Sequence, residues 1–238
     1  MTRIIPAILP HTYRGIEMGV EKIYEIVPAV QIDFVDGHFA PNRTWLFNNK
    51  DEETIEAIMA EDMGLPFWDT LNYEFDLMVK EPIQHMPSFI ALGPSKITFH
   101  IEGLDHDKTI EFFETVPEII RAAISFGMAI GTATDPKLIE PYLPYIESIQ
   151  CMGIQNPGFQ GQSFDDRVFD QIKAVRALYS DKIITVDGAV SLENAGQLVE
   201  AGVDELVIGS ALFQNGDIHG TMEAFQKVCS NATSQLES

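Results

Sequence analysis

The chain has 238 residues, 45% of them hydrophobic, with a net charge of -21 at pH 7 and a mean hydropathy near zero. So acidic a chain lacks the basic surface that nucleic acid or an anionic membrane requires. It also sets a repulsive field that local donors must overcome before any anionic ligand binds.

No apolar run reaches the roughly 18 residues of a membrane span. The opening M-T-R-I-I-P-A-I-L-P is broken by two prolines, unlike a signal-peptide core, and reads as a first strand. Two cysteines, Cys151 and Cys229, form no disulfide or zinc spacing and fit a reducing, cytoplasmic setting. Further along, β-rich apolar runs at Val30–Val35, Glu74–Val79, Lys96–Ile101, Met128–Thr132, Ser148–Gly153, Lys182–Asp187 and Glu205–Ile208 follow the first at Ile4–Leu9. Helical periodicity fills the gaps at Tyr13–Ile26, Glu52–Glu61, Lys108–Phe126 (with a break at Pro117), Phe164–Tyr179, Leu192–Ala201 and Ile218–Val228. Ser191 reads as the N-cap of the fifth of these helices and Gly202 as its stop.

Eight strands alternating with helices predict a parallel sheet, and at this length a single-domain (β/α)8 TIM barrel over residues 1–229. A doubly wound open sheet is the alternative. Residues 230–238 read as a polar, frayed tail. The aromatic insert from Trp45 to Trp68 packs over the barrel rim or serves an interface, and a homo-oligomer is expected.

Barrel function gathers at the C-terminal ends of strands, where polar residues stand out. Alternation in V-Q-I-D-F-V puts Gln31, Asp33 and Val35 on one face. Asp76 lies in F-D-L-M-V, His100 in F-H-I-E-G, and Asp187 ends I-I-T-V-D-G-A. A carboxylate inside an apolar strand is costly unless partnered, so three arriving by separate strands point to shared catalytic or metal-binding work. Two such groups can act as acid and base on a carbon beside a carbonyl when the enediolate between them is stabilised.

An anion site reads independently from N-P-G-F-Q-G-Q-S-F. Gly158 and Gly161 there let backbone N–H groups approach a ligand. Gly188-Ala189 after strand seven and Gly209-Ser210 after strand eight complete a three-part phosphate cradle that includes Phe159 and Gln160.

The stretches P-A-I-L, D-F-V-D-G-H-F-A-P-N, D-L-M-V, I-T-F-H-I-E, N-P-G-F-Q-G-Q-S-F, V-D-G-A and G-S-A-L-F resemble the ribulose-phosphate 3-epimerase family, from about Ile4 to Phe213. The resemblance implies a barrel of the ribulose-phosphate-binding type that inverts C3 of a ketose phosphate. It implies Asp33 and Asp187 as the catalytic pair, the glycine loops as the phosphate grip, and Met78 and Met152 lining the reaction centre with His100 nearby. The family's metal-ligand histidines on strands two and three are replaced here by Gln31 and Asp76, and its first-strand serines by Ala7 and Pro10.

The resulting ligand set, Gln31, Asp33, Asp76 and Asp187, is all oxygen and suits Mg, Mn or Ca better than Zn. Without a metal, at least one of the three carboxylates is expected to titrate well above its ordinary range. Two other readings stay open: a phosphosugar binder without activity, and a barrel aldolase or decarboxylase. The latter is disfavoured by the spacing after Asp76 and by the lack of a lysine in any strand interior.

Overall fold

The computed structural model describes residues 2–159, 161–214 and 216–236. Eight parallel strands close in chain order: β1 (Arg3–Ile8), β2 (Ala29–Val35), β3 (Asn72–Met78), β4 (Lys96–His100), β5 (Ser125–Ile130), β6 (Ser148–Met152), β7 (Ile183–Asp187) and β8 (Glu205–Ile208). The ring shuts where β8 pairs with β1, Arg3 beside Glu205 through Pro6 beside Ile208. That closure excludes the open doubly wound sheet.

The helices are α1 (Tyr13–Val20), α2 (Glu52–Met59), α3 (Met86–Ala91), α4 (His106–Thr115), α5 (Glu118–Ala123), α6 (Arg167–Leu178), α7 (Ala195–Glu200), α8 (Ser210–Phe213) and α9 (Ile218–Leu236). Strand limits fall within a few residues of expectation because strands buried on both faces are continuous apolar runs; β2 is buried throughout.

Helix limits differ more. The expected Lys108–Phe126 helix splits into α4 and α5, because Val116 is extended ahead of Pro117, and Phe126 belongs to β5. The α3 helix and the 3₁₀ turn before it at Pro82–His85 are absent from the sequence reading, since prolines mask their short apolar period. Ser191 does not cap α7. Its own N–H donates to Oδ1 of Asn194, 2.8 Å away, and the helix begins one residue after that asparagine. The C-terminal segment is a helix up to Leu236, not a frayed tail, because Cys229 and Ala232 continue the buried face of α9.

Within the insert, Trp45 is fully buried against Tyr13 and Phe34, and Phe67 stacks on Tyr24 with centroids 4.0 Å apart. Packing therefore accounts for those two aromatics, while Trp68 is 71% exposed.

The barrel interior is polar at both ends. At the strand starts, Glu74 and Glu205 meet Arg3 (2.6 and 2.9 Å) and Lys96 (3.5 and 2.9 Å). At the strand ends the interior acids are Asp33, Asp76 and Asp187.

Candidate active site

The mouth is built on elements that leave little freedom. In D-F-V-D-G-H-F the two aspartates do different work. Asp36 is a tie: its Oδ1 accepts the N–H groups of His38 and Phe39 (2.7 and 2.8 Å), and its Oδ2 accepts that of Lys80 (2.8 Å). This joins the loops after β2 and β3. Asp33 points into the barrel, where ligand oxygens of Asp33, Asp76 and Asp187 all lie within 4.8 Å of one another.

Gln31 spans two of them. Its Nε2 donates to Asp33 Oδ1 and Asp187 Oδ2, each at 2.8 Å. From the sequence this residue is expected to offer its amide oxygen to a cation. The carboxylates on both sides turn the amide the other way, since only its NH2 end finds acceptors there. Asp76, wholly buried, lies 3.1 Å from Nε2 of His100 through both oxygens and 3.2 Å from Nε2 of Gln150. His100 thus serves Asp76 through Nε2, while its buried Nδ1 has no partner among the described residues. Gln150 is absent from the sequence reading, although a polar side chain inside the apolar run S-I-Q-C-M carries the same signal as Asp33.

Crowding sets the protonation chemistry. Burial, then repulsion from Asp187 and Asp76, holds the Asp33 carboxyl well above its ordinary range against the Gln31 bond. Burial and Asp76 push Asp187 up to about 7, opposed by Gln31, His100 and the Gly188 N–H. Burial alone would lower His100, but the Asp76 carboxylate outweighs it and the imidazole sits above its usual value.

The consequence for folding has a definite sign. A carboxyl with a raised folded pKa binds its proton more tightly when folded. Stability from Asp187 is therefore full below the unfolded value of about 4 and is lost as pH rises through about 7. In chelator-treated protein, Asp187→Asn is expected to melt near the parent at pH 4.5. At pH 8 it should be more stable by on the order of 2 kcal/mol, a reduced figure because the group is partly exposed and shares its titration with Asp33. Parallel melting curves at the two pH values would contradict this.

One cavity is lined by Asp33 and Asp187, by Met78 and Met152, and by Gly158, Phe159, Gly161, Gly188, Ala189, Gly209 and Ser210. The expected catalytic, apolar and cradle residues are thus brought together; Gln160 lies outside the described residues. Asp76, Gln31 and His100 sit behind this lining. The loop glycines hold left-handed backbone, with φ of +98° at Gly158, +78° at Gly161 and +108° at Gly188. Ala189 follows at +52°, its carbonyl held by Asn194 Nδ2 at 3.0 Å. Asn42 Nδ2 donates to the Gly158 carbonyl at 3.0 Å, tying the β6 loop to the β2 loop over the cavity.

The three carboxylates fit a hard divalent cation. They are an oxygen-only set of the right span, with no thiolate among them and the nearest imidazole already turned to Asp76.

A family model described as "Ribulose-phosphate 3 epimerase family" matches residues 3–213. The chain belongs to that family. It is 28% identical to the ribulose-phosphate 3-epimerase of Bacillus subtilis (strain 168) over 223 residues, covering 91% of this chain and 94% of the other. It is 31% identical to the ribulose-phosphate 3-epimerase of Serratia marcescens over 193 residues, covering 79% and 83%. Among solved structures, the fold matches 3-keto-L-gulonate-6-phosphate decarboxylase from Vibrio cholerae, with a TM-score of 0.69, 14% identity and 97% and 98% coverage. It also matches 3-hexulose-6-phosphate synthase from Salmonella typhimurium, with a TM-score of 0.68 and 14% identity over 97% of this chain and all of the other. At those identities the structural matches speak for the barrel alone. No helix among the described residues is long and apolar enough to cross a membrane.

Proposed function

We propose that this family member is a sugar-phosphate 3-epimerase, inverting C3 of a ketose phosphate through an enediolate with Asp33 and Asp187 as acid and base. The observation that carries this reading is the placing of both aspartates in one cavity with three glycine loops. The phosphate lies against the loops around Gly158 and Gly161, Gly188 and Ala189, and Gly209 and Ser210, and the sugar extends toward the carboxylates. Those arrive from β2 and β7, on separate sides of the mouth. One carboxylate takes the C3 proton and the other, protonated, returns one to the opposite face.

In the metal-free site the raised carboxyl pKa values suit this work, because an acid that titrates at about 7, as Asp187 does, can both take and return a proton. Gln31, donating equally to both, keeps them aimed at one carbon. Met78 and Met152 form the apolar wall that excludes water. A Mg- or Mn-type cation held by Asp33, Asp76 and Asp187 would supply positive charge to the enediolate oxygens.

The test is hydrogen exchange at C3. Pentulose and hexulose phosphates incubated with the chain and Mg2+ or Mn2+ in deuterated water should lose their C3 proton signal. A substrate panel that shows no exchange removes the epimerase reading and favours the inactive binder. The aldolase reading gains nothing from Lys96, whose ammonium is ion-paired at the opposite end of the barrel from the cavity.

Gly158 gives a second check on the cradle. At φ +98° a side chain is strained, and an added Cβ would stand 2.6 Å from Cβ of Ala40. Gly158→Ala is expected to weaken phosphate binding by about 1–2 kcal/mol, read as a roughly tenfold rise in KM with kcat nearly unchanged. A fall in kcat alone would place this loop in the chemistry instead of the grip.

A further inference from the structure

Asp76 differs from its two neighbours. It does not line the cavity, it is sealed from solvent, and its position depends on side chains from two other strands. His100, on the adjacent β4, contacts both oxygens. Gln150 approaches from β6, which pairs with the Asp187-bearing β7, and its Nε2 donates to Oδ1 of Asp76 at 3.2 Å while touching Met152 Sδ at 3.6 Å. Gln150 therefore draws one oxygen of Asp76 toward the side of the barrel from which Asp187 enters.

Packing does not explain a glutamine here. Gln150 is 2% exposed, and its Oε1 has no hydrogen-bond partner among the described residues. Leaving a buried amide oxygen in that state is costly, and Gln150 carries that cost while placing its Nε2 on Asp76. Turning the amide over would set oxygen against carboxylate, so the orientation is dictated by Asp76. Among the described residues no group donates to this oxygen, and a water carried by a hard cation would be such a donor.

We propose that Gln150 is a positioning residue that keeps Asp76 turned into the cluster, so that Asp33, Asp76 and Asp187 share one divalent cation. The inference rests on the metal-assisted form of the epimerase reading. It also accounts for an aspartate functioning where it is sealed from solvent: His100 and Gln150 grip it from two strands, and the cation completes its charge balance. Partners of metal ligands of this kind contribute about 10–100-fold in affinity.

The experiment is a calorimetric titration of Mn2+ into the full chain and into Gln150→Leu and Gln150→Met, paired with thermal melts in chelator. The expected result is one Mn2+ per parent chain and roughly 10–100-fold weaker binding in both variants. Their melting temperatures in chelator should stay near the parent's, since an unpaired buried oxygen is removed along with the bond. Parent-like Mn2+ affinity in the variants, with or without a lower melting temperature, overturns the inference and leaves the metal reading standing. No Mn2+ binding by the parent overturns the metal reading, and this inference with it.

Discussion

Asp33→Asn and Asp187→Asn are each expected to lower the rate of C3 inversion by about 10²–10⁴-fold, the usual contribution of a positioned acid or base. Asparagine keeps the shape of each side chain and an acceptor for the Gln31 NH2 group that now bridges them at 2.8 Å. The loss is therefore chemical and not a collapse of the site. The Gly188 N–H of the phosphate cradle contacts the Asp187 carboxylate, and an asparagine oxygen can still accept it, so affinity for inorganic phosphate should change little.

A two-base mechanism makes a sharper demand than simple inactivity. With one aspartate left, a variant can still take the C3 proton from the epimer that presents it to that side, and give it back to the same side. Asp33→Asn should exchange deuterium into one epimer without inverting it, and Asp187→Asn into the other. Proton NMR in deuterated water, run from each epimer, separates the cases. If both variants exchange the same epimer, or if either still inverts at the parent rate, the assignment of Asp33 and Asp187 to opposite faces fails.

Much of this site is legible in the sequence because it breaks a local rule. Asp33, Asp76 and Asp187 are acids inside apolar strands, and the glycines of the β6 and β7 loops take backbone angles that side chains resist. Orientation is what the sequence hides. Gln31 turns its nitrogen inward because Asp187, 156 residues away, reaches it from β7, and no local pattern encodes that meeting. Gln150 carries the signal of a buried polar residue but no motif to draw attention to it. Glu74, Lys96 and Glu205 sit at or near strand starts, where polar residues pass for strand ends, and only closure of the barrel shows them to be one cluster. The helices are less legible than the strands because prolines at 82, 87 and 117 interrupt short segments whose apolar period spans barely two turns.

The two polar ends of the barrel explain each other. At the strand starts two glutamates meet two cations, Arg3 and Lys96, with Thr185 also donating to Glu205 at 2.9 Å. Burial would raise the Glu205 carboxyl, but Lys96 and Arg3 outweigh it and hold it below its ordinary range. At the strand ends three aspartates meet two amides, an imidazole and the Gly188 N–H, and the Asp33 and Asp187 carboxyls are raised. A buried acid cluster that is fully compensated stabilises; one left short of charge is poised for proton transfer or a cation.

Lys96→Met tests the first half of that contrast. It keeps the bulk of the side chain and removes the ammonium that lies 2.9 Å from Glu205 and 3.5 Å from Glu74, leaving the half-exposed Arg3 to serve both. Breaking a buried pair in this way costs about 3–5 kcal/mol, so the urea midpoint at pH 7 should fall sharply. Because Glu205 has a lowered folded pKa in the parent, its contribution is present above the unfolded value of about 4.3 and is lost as pH falls through the folded value. The gap between variant and parent should therefore narrow toward pH 4. Folded variant at low temperature should still exchange the C3 proton at the parent rate, because the cluster lies at the far end of the barrel from the cavity. A variant that is as stable as the parent yet slow in exchange would reverse the assignment and make the strand-start cluster part of the chemistry.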